Sequence, residues 1–430
     1  MNNPTHPRLP TTRREFLSMG GKGVGLLAFS AFAPNFLARA ALANVPAPQR
    51  DRRILVILQL AGGNDGLNTV VPYADDRYYK LRPRLGISDQ STLIKLDDHV
   101  ALPTSCAPLA GLFKDGKLAI VQNVGYPNPN HSHFRSSEIW ETASDADSYL
   151  QTGWVGRYLD NCCAGQPTPA LTADEDPVAV HSTTAMPQTF MASQPQDYFG
   201  VGNSVRANLR VRNRRDASKP VPLLEELAQA QTPGDNVHFL SHTLMDALVT
   251  ERRVQNILDA YKTPVAYPNG QLAQSLRRVA ALVSAGLETR VYFCSLGGFD
   301  NHANQFAQHQ RLLNELSLSL AAFQQDLERQ GLDQQVLTMT FSEFGRRPYE
   351  NVAQGTDHGT AAPLFMMGSA LKAQSGLIGV APDLNIPDKG DLTYKIDFRQ
   401  VYATVLKRWL DANPSTVLGN KPFEELPILA

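Results

Sequence analysis

The chain has 430 residues, 43% of them hydrophobic, with 40 Lys and Arg against 41 Asp and Glu for a formal net charge of −1. That length allows a large buried core, as one big α/β domain or two smaller ones. The neutral balance argues against nucleic acid, which requires a basic face, and four cysteines without CxxC spacing argue against a structural zinc site.

Residues 1–43 read as a targeting segment. Thr12-Arg13-Arg14-Glu15-Phe16-Leu17 has the twin-arginine pattern, a weakly apolar Gly/Ala-rich run follows, and Ala41-Leu42-Ala43 supplies a cleavage site. Lys22 and several glycines make the run a poor bilayer span. The expectation is export by the twin-arginine machinery, with a periplasmic or secreted mature protein and no stable membrane span. A linker over 44–52 precedes the folded domain at 53–430.

Arg53 to Leu60 is apolar, short and rich in β-branched residues, as a central parallel strand buried on both faces should be. It ends at Gly62-Gly63-Asn64-Asp65, where Asp65 is a candidate metal ligand or a turn residue. The pattern predicts a helix over 102–115 and a strand over 118–124. After a Pro/Asn loop come His131-Ser132-His133, with Asn130 or Ser132 capping a helix that carries Phe134, Ile139 and Trp140. A serine at a helix N-terminus suits nucleophilic work, since the positive helix end favours a developing anion. Ser132 is therefore the leading nucleophile, with Ser136 second and His133 beside it.

A helix is expected over 153–159. Residues 164–219 read as an insertion or cap over the site; their basic part, 206–219, reads as a solvated face. Helices are expected over 223–230, 236–261 and 272–287. A strand over 290–296 ends in Gly297-Gly298-Phe299-Asp300-Asn301-His302; extended backbone points Asp300 and His302 the same way, so the two can share an ion. A helix over 305–330 carries His309, read as a surface residue. The strand over 336–341 stops at Glu343, a loop with Arg346 and Arg347 follows, and Asp357-His358-Gly359 precedes another strand near Pro363. Residues 377–386 read as loop, and Asp397 caps a helix over 400–410.

Apolar strands ending in charged groups are how open α/β sheets build sites. The candidate metal set is Asp65, Asp300, His302, Glu343, Asp357 and His358. Carboxylates mixed with imidazoles suit one or two divalent ions, zinc first, with manganese or calcium as alternatives. Arg346 is the candidate clamp on a substrate oxygen.

The order of these groups resembles the alkaline phosphatase and sulfatase superfamily. More closely, LAGGNDGLNTVVPY, VGYPNPNHSHFRSSEIWET, GGFDNHANQ, SEFGRRPYEN, GTDHGTAAPLFMMG and DFRQVYATVL look like the twin-arginine-exported bacterial family called domain of unknown function 1501. The resemblance implies a three-layer α/β sandwich with a mostly parallel central sheet. It places Asp65 as first-strand ligand, Asp300 and His302 as the Asp/His pair, and His358 as final histidine. Glu343 stands where the superfamily has an Asp followed by His, and here Phe344 follows. The implied activity is metal-dependent hydrolysis or transfer of a phosphate or sulfate ester on an anionic small molecule or polymer. The alternative is a non-catalytic exported binding or secretion-accessory protein with a degenerate site.

Overall fold

The computed structural model describes residues 52–162, 179–193, 198–201, 250–372, 376–419 and 421–429. The expected targeting segment, the helix over 223–230 and the basic stretch over 206–219 lie outside them. Of the helix expected over 236–261, residues 250–260 are described and are helical.

Among the described residues a nine-stranded sheet forms the middle layer. Its strands are β1 (Ile54–Ala61), β4 (Leu118–Gly125), β5 (Ala179–His181), β6 (Tyr198–Gly200), β7 (Val291–Gly297), β8 (Val336–Phe341), β9 (Ala362–Met367), β10 (Leu377–Ile378) and β11 (Ile396–Asp397). β2 (Leu93–Lys95) and β3 (Ala101–Pro103) make a separate small ladder. The main order is β10-β4-β9-β8-β1-β7-β5-β6, with β11 also on β4. β9 runs antiparallel to β4 and β8, and the other pairs are parallel.

Alternation along β1 divides the core. Leu55 and Ile57 face one layer, with Trp140 of α3 (His133–Thr142), Trp154 and Tyr158 of α4 (Trp154–Cys162), and Tyr402 of α7 (Phe398–Thr404). Val56, Leu58 and Leu60 face the other, with Leu109 of α2 (Ala107–Lys114), Leu276 of α5 (Gln271–Ser284) and Leu316 of α6 (Gln305–Gln330). A strand covered on both faces has no position for a polar side chain, which is why 53–60 reads as one apolar run. The protein is thus a three-layer α/β sandwich. Among the described residues no helix is long and apolar enough to cross a membrane.

Three local readings change. Ala101–Pro103 is strand, and α2 begins only at Ala107. Pro103 disfavours helix at the residue before it, and Pro108 sits in the first turn, where a missing N–H costs nothing. Within 164–219, β5 and β6 extend the sheet beside β7, so part of that stretch is sheet edge. Three residues per strand are too few for a periodic signal. Leu377–Ile378 pairs with β4 where a loop was expected. Asp397 does cap its helix, in a reciprocal box with Gln400, and Cys106 and Cys294 are buried free thiols.

Candidate metal centre

The C-terminal ends of β1, β4, β7 and β8 meet at one edge of the sheet. β9 is antiparallel, so the residues before it, including His358, arrive at the same edge. Close backbone approach makes this possible. Gly62 (φ +117°) lies so near the backbone of Phe299 and Asp300 that a Cβ has no room.

Four side chains converge there. Ligand atoms of His133, Asp300 and His358 all lie within 4.8 Å of one another. His302 joins them, its Nε2 being 3.0 Å from Asp300 Oδ1 and 3.0 Å from His358 Nε2. His358 Nε2 is 3.2 Å from Asp300 Oδ1, and His133 Nε2 is 3.4 Å from Asp300 Oδ2. The cluster is half-exposed, with Asp300 and His302 at 45% and 44% side-chain exposure, so a ligand can reach it from solvent.

Hydrogen bonds on the outer ring nitrogens fix which tautomers face inward. His358 Nδ1 is 2.7 Å from the His131 carbonyl, which can only accept, so Nδ1 carries the proton and Nε2 is bare in the neutral ring. His133 Nδ1 donates to Glu343 Oε1 at 2.8 Å, leaving Nε2 buried without a hydrogen-bond partner. His302 Nδ1 lies 3.4 Å from Asp357 Oδ1. His302 Nε2, His358 Nε2 and Asp300 Oδ1 lie within hydrogen-bond distance of one another, a spacing that a shared proton or a shared cation satisfies. An outer N–H held by a carboxylate or carbonyl is how metal-binding histidines are oriented. The donor set therefore fits a divalent ion held by His133, His302, His358 and Asp300.

Charge supports the arrangement. Burial acts to raise the Asp300 carboxyl, but the hydrogen bond from Arg346 at 2.6 Å and the positive charge and imidazole rings around it outweigh that, holding the group at about 2. His358 is pushed below its usual range, chiefly by burial, which favours the neutral ring a metal needs.

The other expected site residues lie elsewhere. Asp65 is buried, with Oδ2 bound by Arg82 Nη1 at 2.6 Å and by Gln305 Nε2. Burial acts to raise its carboxyl, but Arg82, His309 and Gln305 together lower it. Glu343 Oε1 accepts from His133 Nδ1 and from Gly62 N, each at 2.8 Å, which places this carboxylate behind the His133 ring. Asp357 is likewise behind His302. Arg346 is 1% exposed, and its guanidinium is committed to the carbonyls of Gly63, Thr356, Gly62 and Phe299 and to Asp300. It has no arm left for a substrate oxygen.

Phe344 packs against the rings of His133 and His358, with centroids 4.9 and 4.5 Å away, and walls that side of the site. Ser136 is buried, bonded to Tyr126 Oη at 2.8 Å and to the Asn130 carbonyl at 2.5 Å, which gives it a structural place. Ser132 is exposed, immediately before His133, with its side chain making no cap hydrogen bond. His309, expected at the surface, is buried with Nε2 3.0 Å from Asn64 Oδ1. Neither Arg82 nor the His131 carbonyl belongs to an ionisable strand end, so no pattern in the chain points to them.

Fold and site together define an α/β protein with a candidate metal centre at the carboxyl edge of its sheet. The chain belongs to the family described as protein of unknown function (DUF1501), whose model matches residues 52–410. None of the curated proteins matches it. It is similar in structure to the lipoteichoic acid synthase LtaP from Listeria monocytogenes, at 7% identity and TM-score 0.34, covering 76% of this chain and 68% of that one. It is also similar to the C-terminal periplasmic domain of EcEptC from Escherichia coli, at 11% identity and TM-score 0.35, covering 87% and 88%. Alkaline phosphatase from the Antarctic bacterium TAB5 is another, at 12% identity and TM-score 0.30, covering 75% and 92%.

Proposed function

We propose that this protein is an exported, metal-dependent hydrolase or transferase acting on a phosphate or sulfate ester of an anionic small molecule or polymer. The observation that carries the reading is the convergence of three imidazole nitrogens on the Asp300 carboxylate, each ring held from behind by Glu343, Asp357 or the His131 carbonyl.

His133, His302, His358 and Asp300 would hold the ion, and zinc suits a set dominated by nitrogen. A bound divalent ion there supplies positive charge for an ester oxygen. Ser132 is the nucleophile, exposed at the positive end of α3 and one residue from His133. Its oxygen bonds to the ester's central atom as the bond to the leaving alcohol breaks, and water then releases the acid. Phe344 leaves the second ion of the superfamily pattern without an imidazole, so the reading is of one ion. Export rests on Arg13 and Arg14 and is tested by fractionating cells that carry both as Lys.

The activity test is a panel of 4-nitrophenyl phosphate, bis(4-nitrophenyl) phosphate and 4-nitrophenyl sulfate. Turnover should require metal and fall at least about a hundredfold in Ser132→Ala. Turnover that survives the substitution unchanged rules out this nucleophile. A fully loaded wild-type protein that turns over none of the three favours the binding-module reading.

A further inference from the structure

The three imidazoles of the cluster are held from behind in unequal ways. His133 is held by Glu343, whose side chain is 3% exposed and is bound in turn by the Gly62 N–H. His358 is held by a backbone carbonyl, which has no side-chain torsion to turn about. His302 is held by Asp357, whose side chain is 53% exposed and stands 3.4 Å away, longer than an ordinary hydrogen bond. Solvent weakens such an exposed pair, so the carboxylate alone does not fix the ring.

We propose that Asn351 is the positioning residue for His302 in the metal centre. This rests on the reading of His133, Asp300, His302 and His358 as ligands of one ion. Asn351 Nδ2 donates to the His302 carbonyl at 3.0 Å and to Asp357 Oδ1 at 3.2 Å, and that same oxygen faces His302 Nδ1. Amide, carboxylate, imidazole and the imidazole's own backbone thus close a ring. Asp357 cannot swing away from His302 without also breaking its bond to Asn351. On the other side, Asn351 Oδ1 accepts from the N–H groups of Ala353 at 2.9 Å and Gly355 at 3.0 Å. A backbone N–H only donates and a backbone carbonyl only accepts, so the partners fix which way the amide points. Two donors and two acceptor positions are all used, on a side chain that is only half-buried.

The loop does not depend on this amide for its place. Main-chain bonds from Asn304 N to the Ala353 carbonyl at 3.0 Å and from Gln305 N to the Gln354 carbonyl at 2.9 Å join it to the start of α6. Gly355 lies against the His302 backbone with no room for a Cβ. The side chain's two roles are therefore separable: Oδ1 shapes the loop, and Nδ2 holds His302 and Asp357. Asn351→Asp keeps the first and removes the second, whereas Asn351→Ala removes both.

The test measures zinc affinity by competition with a chelator dye on the full chain, as wild type, Asn351→Ala, Asn351→Asp, His302→Ala and the Asn351→Ala/His302→Ala double variant. Affinity should fall about tenfold in Asn351→Ala and at least about as far in Asn351→Asp, since outer partners of metal-binding histidines carry effects of that size. The loss in Asn351→Asp runs against its added negative charge, which by itself favours a cation. In the His302→Ala background, Asn351→Ala should change affinity less than about twofold, because the ring that it positions is gone. A loss in Asn351→Ala that Asn351→Asp restores would reduce Asn351 to a loop-shaping residue and overturn the proposal. So would an equal loss with and without His302, or variants that bind zinc as the wild type does. A wild type that takes up no zinc overturns the metal centre and this role together.

Discussion

Two groups of ionisable side chains lie at the same edge of the sheet, and they differ in how their polar atoms are satisfied. In the floor, Asp65, Arg82, Gln305 and Arg346 are buried, and each finds its main partner within the protein. In the cluster above, His133, Asp300, His302 and His358 are partly exposed and bring ring nitrogens to 3.0–3.4 Å from the Asp300 carboxylate. A buried charge is tolerated when it is paired, so the floor is a framework. A convergent set of imidazole nitrogens and a carboxylate is a cation's donor set, so the cluster is where a ligand belongs. Position at a strand end does not separate the two roles; partnership does.

The sharpest way to break this contrast is in the floor. Arg82→Ala leaves Asp65 buried and unpaired and should cost about 3–5 kcal/mol, read as a lowered urea midpoint. A cost below about 1 kcal/mol would mean that Asp65 is not held as a buried charge.

In the cluster the effect should fall on metal and spare the fold. Glu343→Gln keeps the shape behind His133 but removes the carboxylate that fixes its tautomer. Metal affinity should drop about 10–100-fold, measured by competition with a chelator dye. An unchanged affinity removes Glu343 from the supporting role.

A smaller effect concerns acid. Burial, only partly offset by Asp65, pushes His309 down from 6.5 to about 4, so the folded state keeps it neutral. Below pH 6.5 the unfolded chain takes up the proton first, and stability is lost as pH falls from 6.5 toward about 4. The slope from this one group reaches at most about 1.4 kcal/mol per pH unit. His309→Gln, which retains a donor for Asn64, should flatten that part of the stability curve. A slope equal to wild type excludes His309 as its source.

Much of this was legible in the sequence. Runs such as 53–60 and 336–341 are apolar because both faces of the strand are covered, and that covering is written into every residue. Asp300, His302 and His358 could be picked out because strand ends and glycines announced them. Asp65 carried the same announcement and belongs to the floor, since its partner Arg82 comes from a short helix-end segment with no pattern of its own. Arg346 and Arg347 are indistinguishable as letters; only the pairing of 345–347 with 357–359 decides which one is buried. β5 and β6 were missed because strands of three residues leave no period to read.

His133, Asp300, His302 and His358 together should hold one ion. Elemental analysis of the protein purified without chelator tests this, alongside Asp300→Ala and His358→Ala. The prediction is about one equivalent of a transition metal, zinc foremost, in the wild type and under about a tenth in either variant, with far-UV spectra unchanged. Equal metal in all three proteins, or none in a wild type offered excess zinc, would contradict it.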